Sequence, residues 1–305
     1  MTWRKLGRVW VPPGNQSWAR SHAFVPTPEV VAGSHIRVYC TVLDDEQVGR
    51  VTYVDVALDD PTRVLRTAAQ PVLDAGAVGC FDNDGVNASS VVDWRGHKWL
   101  YYIGWQRAAR VPYMLFGGAA RSTDGGESFT RVQRVPVLER TDDEPFSRSA
   151  PFVLADDARL RMWYWSCREW TTVPGSAPQY NNEINYAESE DGVRWHVVKR
   201  GVIRAEGNDY AVGRPWVVRD GEGFRMWFAT RSHSPSLPYR IDSAESADGV
   251  TWSRQPSPIT TSAEGWDSEM VCFAAVVDAG GARLMFYNGN GHGRTGFGVA
   301  RLERA

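Results

Sequence analysis

The sequence predicts an all-β fold: a five-bladed β-propeller with about four antiparallel strands per blade and a central funnel. Three observations carry this expectation. A short motif recurs three times along the chain. Short runs rich in aromatic and β-branched residues precede each copy at similar offsets. No amphipathic helical stretch of respectable length interrupts them.

The motif is Ser-x-Asp-Gly followed by an aromatic residue. It appears as Ser122-Thr-Asp124-Gly125 with Phe129, as Ser189-Glu-Asp191-Gly192 with Trp195, and as Ser246-Ala-Asp248-Gly249 with Trp252. Asp-Gly supplies a turn with the positive φ it needs, so each copy reads as a hairpin between two strands. The expected role is structural: Asp caps the turn and the aromatic packs on a neighbouring blade at the outer edge.

Strand candidates follow in order. Ala23-Phe-Val25, Ile36–Tyr39 and Arg50–Val54 form the first blade. Ser90-Val-Val92 and Trp99–Ile103 precede the first motif copy. Pro151–Leu154 and Arg161–Trp165 precede the second, and Pro215–Val218 and Arg225–Phe228 the third. Phe273–Val277, Leu284–Tyr287 and Phe297–Ala300 form the last blade, which the strand near Arg8-Val-Trp10 can complete. Residues 1–305 are therefore expected to form one propeller domain. A β-sandwich explains the strands but not the repeat.

Composition narrows the function. The 305 residues carry 34 Lys and Arg against 36 Asp and Glu, a net charge of −2, without the cationic surplus that phosphate neutralisation demands. No nucleic-acid partner is expected. The 14 Trp, 11 Tyr and 11 Phe exclude disorder. The longest apolar run, Cys272–Val277, is far short of the ~20 residues of a membrane span. Residues 1–7 show no apolar leader. Cys40, Cys80, Cys167 and Cys272 lie far apart with no C-x-x-C pair, which fits reduced core thiols and a cytoplasmic location. All but three cations (Lys5, Lys98, Lys199) are arginines, which can make bidentate contacts that lysine cannot.

In a propeller the starts of the innermost strands line the funnel, and all five starts carry charged or titratable groups. They are Trp18-Ala-Arg20-Ser21-His22; Phe81-Asp82-Asn83-Asp84-Gly85-Val-Asn87; Phe146-Ser147-Arg148-Ser149; Tyr210-Ala-Val-Gly213-Arg214; and Gly265-Trp266-Asp267-Ser268-Glu269-Met270. Buried charge is costly unless paired or used, so these positions are candidates for chemistry.

Phe81-Asp82-x-x-Gly85-Val86, Trp99–Trp105, Arg161–Tyr164, Gly265–Met270 and Tyr287-Asn-Gly-Asn-Gly-His-Gly-x-Thr-Gly-Phe-Gly298 together resemble a bacterial glycosidase-like group. That group resembles the five-bladed-propeller glycosidase superfamily of arabinanases, xylosidases, invertases and levansucrases, with mannoside phosphorylases more distantly. The likeness covers nearly the whole chain. It implies three carboxylates from the first three blades, acting as base or nucleophile, pKa modulator and general acid. This sequence departs from that plan: His22 stands where the first-blade Asp is expected, and Leu43-Asp44 replaces an Arg-Asp pair.

Glycosidic cleavage takes a proton donor and a second carboxylate that attacks or activates water. Asp82 is the expected base or nucleophile and Glu269 the acid, with Asp84, Glu183 and Asp267 as further candidates. Two carboxylates in one funnel drive their pKa values apart. The alternative for Asp82 and Asp267 is to cap loops at the blade entrances. Arg148, Arg214 and Arg231 are expected to orient a hydroxylated or anionic substrate. His22, Asp44, Asn288 and His292 are expected to contact it, with Trp266 stacking on a sugar ring. No metal and no cofactor are expected, since Asp82-Asn-Asp84-Gly85 is only a fragment of a calcium loop. The expected partner is a small carbohydrate or sugar-containing metabolite, and the expected state a monomer. Glycoside hydrolysis is the leading reading. Phosphorolysis or transfer, an isomerase- or lyase-type step, and non-catalytic sugar binding are the alternatives.

Overall fold

The computed structural model describes residues 2–156, 158–172, 175, 177–233 and 239–303. Strands dominate. The chain runs β1 (Thr2–Trp10), β2 (Ser21–Val31), β3 (His35–Leu43), β4 (Gly49–Ala57) and β5 (Val64–Thr67). It continues through β6 (Val86–Trp94), β7 (His97–Arg107), β8 (Tyr113–Ser122) and β9 (Thr130–Arg131). Then come β10 (Arg148–Asp156), β11 (Arg159–Thr171), β12 (Gln179–Ser189) and β13 (His196–Arg204). The last are β14 (Asp209–Asp220), β15 (Gly223–Ser232), β16 (Tyr239–Ser246), β17 (Ser253–Ile259), β18 (Cys272–Ala279), β19 (Ala282–Asn288) and β20 (Phe297–Glu303).

Three sheets have four strands each: β2–β5, β14–β17, and β18–β20 with β1. The pairing of β1 with β20 joins the two ends of the chain, as Arg8-Val-Trp10 suggested. The fourth sheet holds eight strands, β6–β13, but its halves meet through one parallel pairing, Arg148 with Phe116. Within each half the strands pair antiparallel in chain order. The predicted strands fall inside these elements because alternating aromatic and β-branched residues suit a pleated surface buried on both faces.

The repeated hairpins form latches between consecutive four-strand sets, the eight-stranded sheet counting as its two halves. In each, the Asp carboxylate accepts backbone N–H groups of its own turn: Asp124 from Ser128 (3.0 Å), Asp191 from Val193 and Arg194 (2.8 and 2.7 Å), Asp248 from Val250 and Thr251 (both 2.8 Å). A glycine carbonyl then accepts from an aromatic of the preceding sheet. Tyr39 Oη donates to Gly126 (3.1 Å), Tyr101 Oη to Gly192 (3.0 Å) and Trp163 Nε1 to Gly249 (2.8 Å). The motif aromatics follow: Phe129 packs edge-on to Tyr39, Trp195 to Tyr101 and Trp252 to Trp163. Trp3 of β1 meets Trp227 in the same way. The predicted capping and packing roles therefore describe the hairpins.

Only glycine fits the latch. At Gly192, φ is +77° and an added Cβ would lie 2.9 Å from Tyr101 Oη and 3.0 Å from Trp99. The largest core cluster lies where sheets face one another, with Trp163, Tyr186, Met226, Trp227, Phe228 and Met285 essentially inaccessible to solvent.

A second recurrence lies at the other end of the sheets. In β2, β10, β14 and β18, two residues oppose one on the partner strand, between Phe24 and Thr27, Ser149 and Phe152, Gly213 and Trp216, and Cys272 and Ala275. The first bulged residue is left-handed each time: Val25 (φ 53°), Ala150 (49°), Arg214 (51°) and Phe273 (55°). In β6 the register slips by one residue at Ser89.

A candidate active site at the strand starts

The starts of β2, β6, β10, β14 and β18 converge on a cavity of about 580 Å³. Its size lies within the range of small-molecule sites. The wall is aromatic, with Phe24, Trp105, Tyr113, Trp165, Tyr180, Tyr239 and Phe273, and includes the bulged residues Val25, Ala150, Arg214 and Phe273. Left-handed backbone at non-glycine residues costs of the order of 1–3 kcal/mol each. Among the described residues, seven of the nine such positions line this cavity: the four bulged residues with His22, Gln47 and His292. Strain of this kind concentrates where the fold aims side chains for a purpose.

The charged groups on the wall are Asp84, Arg107, Arg214 and Arg231. Asp84 is half-buried, and its Oδ2 accepts the Arg107 backbone N–H at 2.7 Å. Arg231 donates to Tyr180 Oη and lies among the rings of Tyr180, Tyr210 and Tyr239. Burial pulls its pKa down, but the hydroxyls of Tyr180, Tyr239 and Tyr210 outweigh it and leave the balance raised, with Tyr180 the largest raising influence. Arg214 is buried and donates through Nη2 to the Pro26 carbonyl (2.9 Å) and Thr27 Oγ1 (3.0 Å). Burial pulls its pKa down to about 9, so it still carries charge at neutral pH.

Both histidines on the wall are neutral at pH 7. Burial and then Arg294 lower the pKa of His22, whose Nδ1 lies 2.9 Å from Ser21 Oγ. Burial, then Arg231 and His22, push His292 down to about 4. Neutral imidazoles can accept as well as donate hydrogen bonds.

Of the residues singled out from sequence, His22, Asp84, Arg214, Arg231 and His292 meet at this wall. The others lie elsewhere. Asp82 is buried behind it, with Oδ2 accepting from Tyr102 Oη (3.0 Å) and Arg131 Nε (2.7 Å). Asp267 is held by Tyr287 Oη (2.9 Å) and Lys5 Nζ (2.6 Å). Glu183 accepts from Arg204 Nε at 2.9 Å, with Arg168 at 3.6 Å. Glu269 is exposed and is tied by its backbone N–H to Asn290. Asp44 organises its own loop through Arg50 and the N–H groups of Glu46 and Val48. Arg148 pairs with buried Glu144 and donates to Tyr164 Oη. Trp266 packs on Tyr287. Asn288 clasps β2, accepting from Val25 N–H and donating to the Ala23 carbonyl.

One regularity explains much of this placement. Asp82–Tyr102, Glu144–Tyr164 and Asp267–Tyr287 are carboxylate–tyrosine hydrogen bonds, each spanning 20 positions and each with a cation, Arg131, Arg148 or Lys5. They anchor the loop before a cavity-lining strand to the strand that follows it. Sequence reasoning missed Glu144, and also Tyr113, Tyr180 and Tyr239 on the wall. The tyrosine at a fixed offset was the available signal for the anchors.

A larger cleft, of about 1400 Å³, lies at the far ends of β14 and β18. Most of its charges pair within the cleft: Arg225 with Asp220 and Glu245, and Arg283 with Asp220 and Asp278. The aromatic cavity, whose cations lack carboxylate partners among the described residues, is the better candidate site.

No family model matches the chain. The uncharacterized protein Rv1502 of Mycobacterium tuberculosis is 40% identical over 306 residues, covering 99% of this chain and 100% of that protein. This chain belongs to the Rv1502 family. MT1551 of the same species matches to the same extent. Among solved structures, a glycosyl hydrolase from Bacteroides ovatus superposes with a TM-score of 0.76 at 13% identity, over 99% of this chain and 93% of that one. A thermostable family-43 glycoside hydrolase gives 0.71 at 14%, over 95% and 93%. A member of the GH130 family of mannoside phosphorylases, which contains hydrolases targeting β-1,2 mannosidic linkages in Candida mannan, gives 0.74 at 14%, over 99% and 93%. This chain therefore shares its all-β fold with these glycoside hydrolases. Among the described residues, no helix is long and apolar enough to cross a membrane.

Proposed function

We propose that this chain is a carbohydrate-active enzyme on a single five-bladed β-propeller over residues 1–305. It acts on a small glycoside or sugar conjugate held in the aromatic cavity. Five chain-ordered quartets support the blade count: β2–β5, β6–β9, β10–β13, β14–β17, and β18–β20 with β1. The observation that carries the functional reading is the wall itself. Indole and phenol rings suit the apolar faces of a sugar, and Asp84, two neutral imidazoles and two arginines suit its hydroxyls.

Asp84 is the proposed acid/base group, because it brings a carboxylate to the wall. Asp82, Glu183 and Asp267 already carry cation partners, and Glu269 is exposed outside the wall. Hydrolysis through paired carboxylates would need a second acid to approach. One wall carboxylate beside neutral His22 and His292 favours a second reading on the same scaffold: transfer to an acceptor other than water, or an isomerase- or lyase-type step. The proposed setting is cytoplasmic and the proposed state a monomer.

The test is turnover of aryl furanosides and pyranosides, with and without phosphate, read by product mass. Asp84→Asn should lower the rate at least ~100-fold, the usual worth of a positioned acid/base group, without changing the unfolding temperature. Full activity in that variant removes Asp84 from the role. Phosphate-dependent release identifies a phosphorylase, and a product that gains no water identifies the non-hydrolytic reading. Sugar retention without turnover identifies a binding module.

A further inference from the structure

We propose that the substrate carries an anionic substituent, a carboxylate or phosphate on the sugar, which Arg214 and Arg231 receive. The inference rests on the reading of the cavity as a sugar site and names the class of sugar.

The bulge comparison carries it. Four strands present one left-handed residue each to the cavity, and three of these are apolar: Val25, Ala150 and Phe273. Those residues show what the position needs for folding, which is bulk or nothing. Arg214 occupies the fourth. A guanidinium there is desolvated, 4% exposed, and pairs with no carboxylate among the described residues. Its Nη2 is satisfied by Pro26 and Thr27, but Nε and Nη1, shielded from solvent in this state, have no partner among the described residues. A buried charge left in that state is destabilising unless something arrives to pair with it.

Arg231 reinforces the reading. It reaches the same cavity from the neighbouring strand β15, and its Nε also lacks a partner among the described residues. The wall therefore holds three guanidiniums, with Arg107, against the single carboxylate of Asp84, in a chain whose net charge is −2. Neutral His22 and His292 leave the positive charge of the wall to the arginines, yet remain able to bind hydroxyls. An oxyanion matches paired guanidinium N–H groups, whereas a neutral hydroxyl answers one donor at a time.

The experiment measures binding by tryptophan fluorescence and thermal shift, with panels of neutral hexoses and pentoses, hexuronates, sugar monophosphates, and inorganic phosphate alone. Uronates or sugar phosphates should bind at least tenfold more tightly than their neutral parents, with affinity falling as salt rises. Arg214→Gln should lose that preference and Arg214→Lys should keep part of it. Without ligand, Arg214→Gln should unfold at the same temperature as the parent or higher, because it removes an unpaired buried charge. A structural arginine would lower it. Arg231→Gln gives an independent reading of the same preference.

Preference for uronates assigns a carboxylate, and preference for sugar phosphates assigns a phosphate. Neutral sugars binding as tightly as anionic ones would overturn this inference and leave the sugar site standing. Inorganic phosphate binding as tightly as any sugar phosphate would overturn it in favour of a free anion site. Silence across all panels would overturn both it and the reading of the cavity as a sugar site.

Discussion

At the outer hairpins, three copies of one motif dock a glycine carbonyl on Tyr39, Tyr101 or Trp163 of the preceding sheet, with matching capped turns. At the cavity, four copies of one bulge present three apolar residues of different size, Val25, Ala150 and Phe273, and one cation, Arg214. Both sets are repeats of the same strands. Where equivalent positions keep equivalent chemistry, the position is solving a packing problem common to every sheet. Where the backbone recurs and the side chain does not, the fold has fixed the geometry and left the residue free for a ligand. The carboxylates divide in the same way. Asp82, Glu144 and Asp267 share one tyrosine-and-cation arrangement, whereas Asp84 has no counterpart in it.

The sharpest break of that comparison separates two neighbours. Asp82→Asn should destabilise the protein by about 3 kcal/mol, because it strands Arg131 against a buried amide and weakens the anchor to Tyr102. Asp84→Asn should cost less than about 0.5 kcal/mol, since among the described residues half-exposed Asp84 holds only the Arg107 N–H. Chemical denaturation of the two variants decides it, and equal losses would dissolve the distinction between anchor and wall. At the rim, Gly192→Ala should cost about 2 kcal/mol, from a left-handed backbone and a Cβ pressed on Tyr101 and Trp99. Gly207→Ala, at φ +59° with nothing within 4 Å, isolates the backbone share and should cost less. Equality of the two would mean the latch contributes no packing constraint.

The smallest effect concerns pH. His292 takes a proton only near pH 4 when folded, against an ordinary value of 6.5. Between those values the unfolded chain binds more protons, so stability falls as pH drops from about 6.5 to 4 and is fully present above that window. His292→Gln should flatten this slope without abolishing it, since His22 is lowered too. Denaturation midpoints at pH 4.5 and 7 measure the difference, and an unchanged slope would remove His292 from the account.

The legible part of the site was its location. Reading residues at the starts of the five cavity-lining strands found Asp84, Arg214 and His22, and the glycine-rich run found His292. Acid chemistry was less legible. Asp82 and Asp84 stand two positions apart in one loop, and nothing local distinguishes a carboxylate that turns back toward Tyr102 from one that faces the cavity. Tyr180 and Tyr239 open strands β12 and β16, positions that look like ordinary strand starts until the sheets assemble.

The sequence by itself determined the strands, the turns and the role of the repeated hairpins. These depend on local chemistry: Asp caps its own turn, glycine adopts the φ the turn needs, and aromatic and β-branched residues pleat. Tertiary structure alone decided which carboxylates are anchored, which four residues the bulges turn inward, and that Arg214 meets no acid. Those outcomes rest on strand register and on partners such as Lys5 for Asp267, far apart in the chain, where burial makes each unpaired charge consequential.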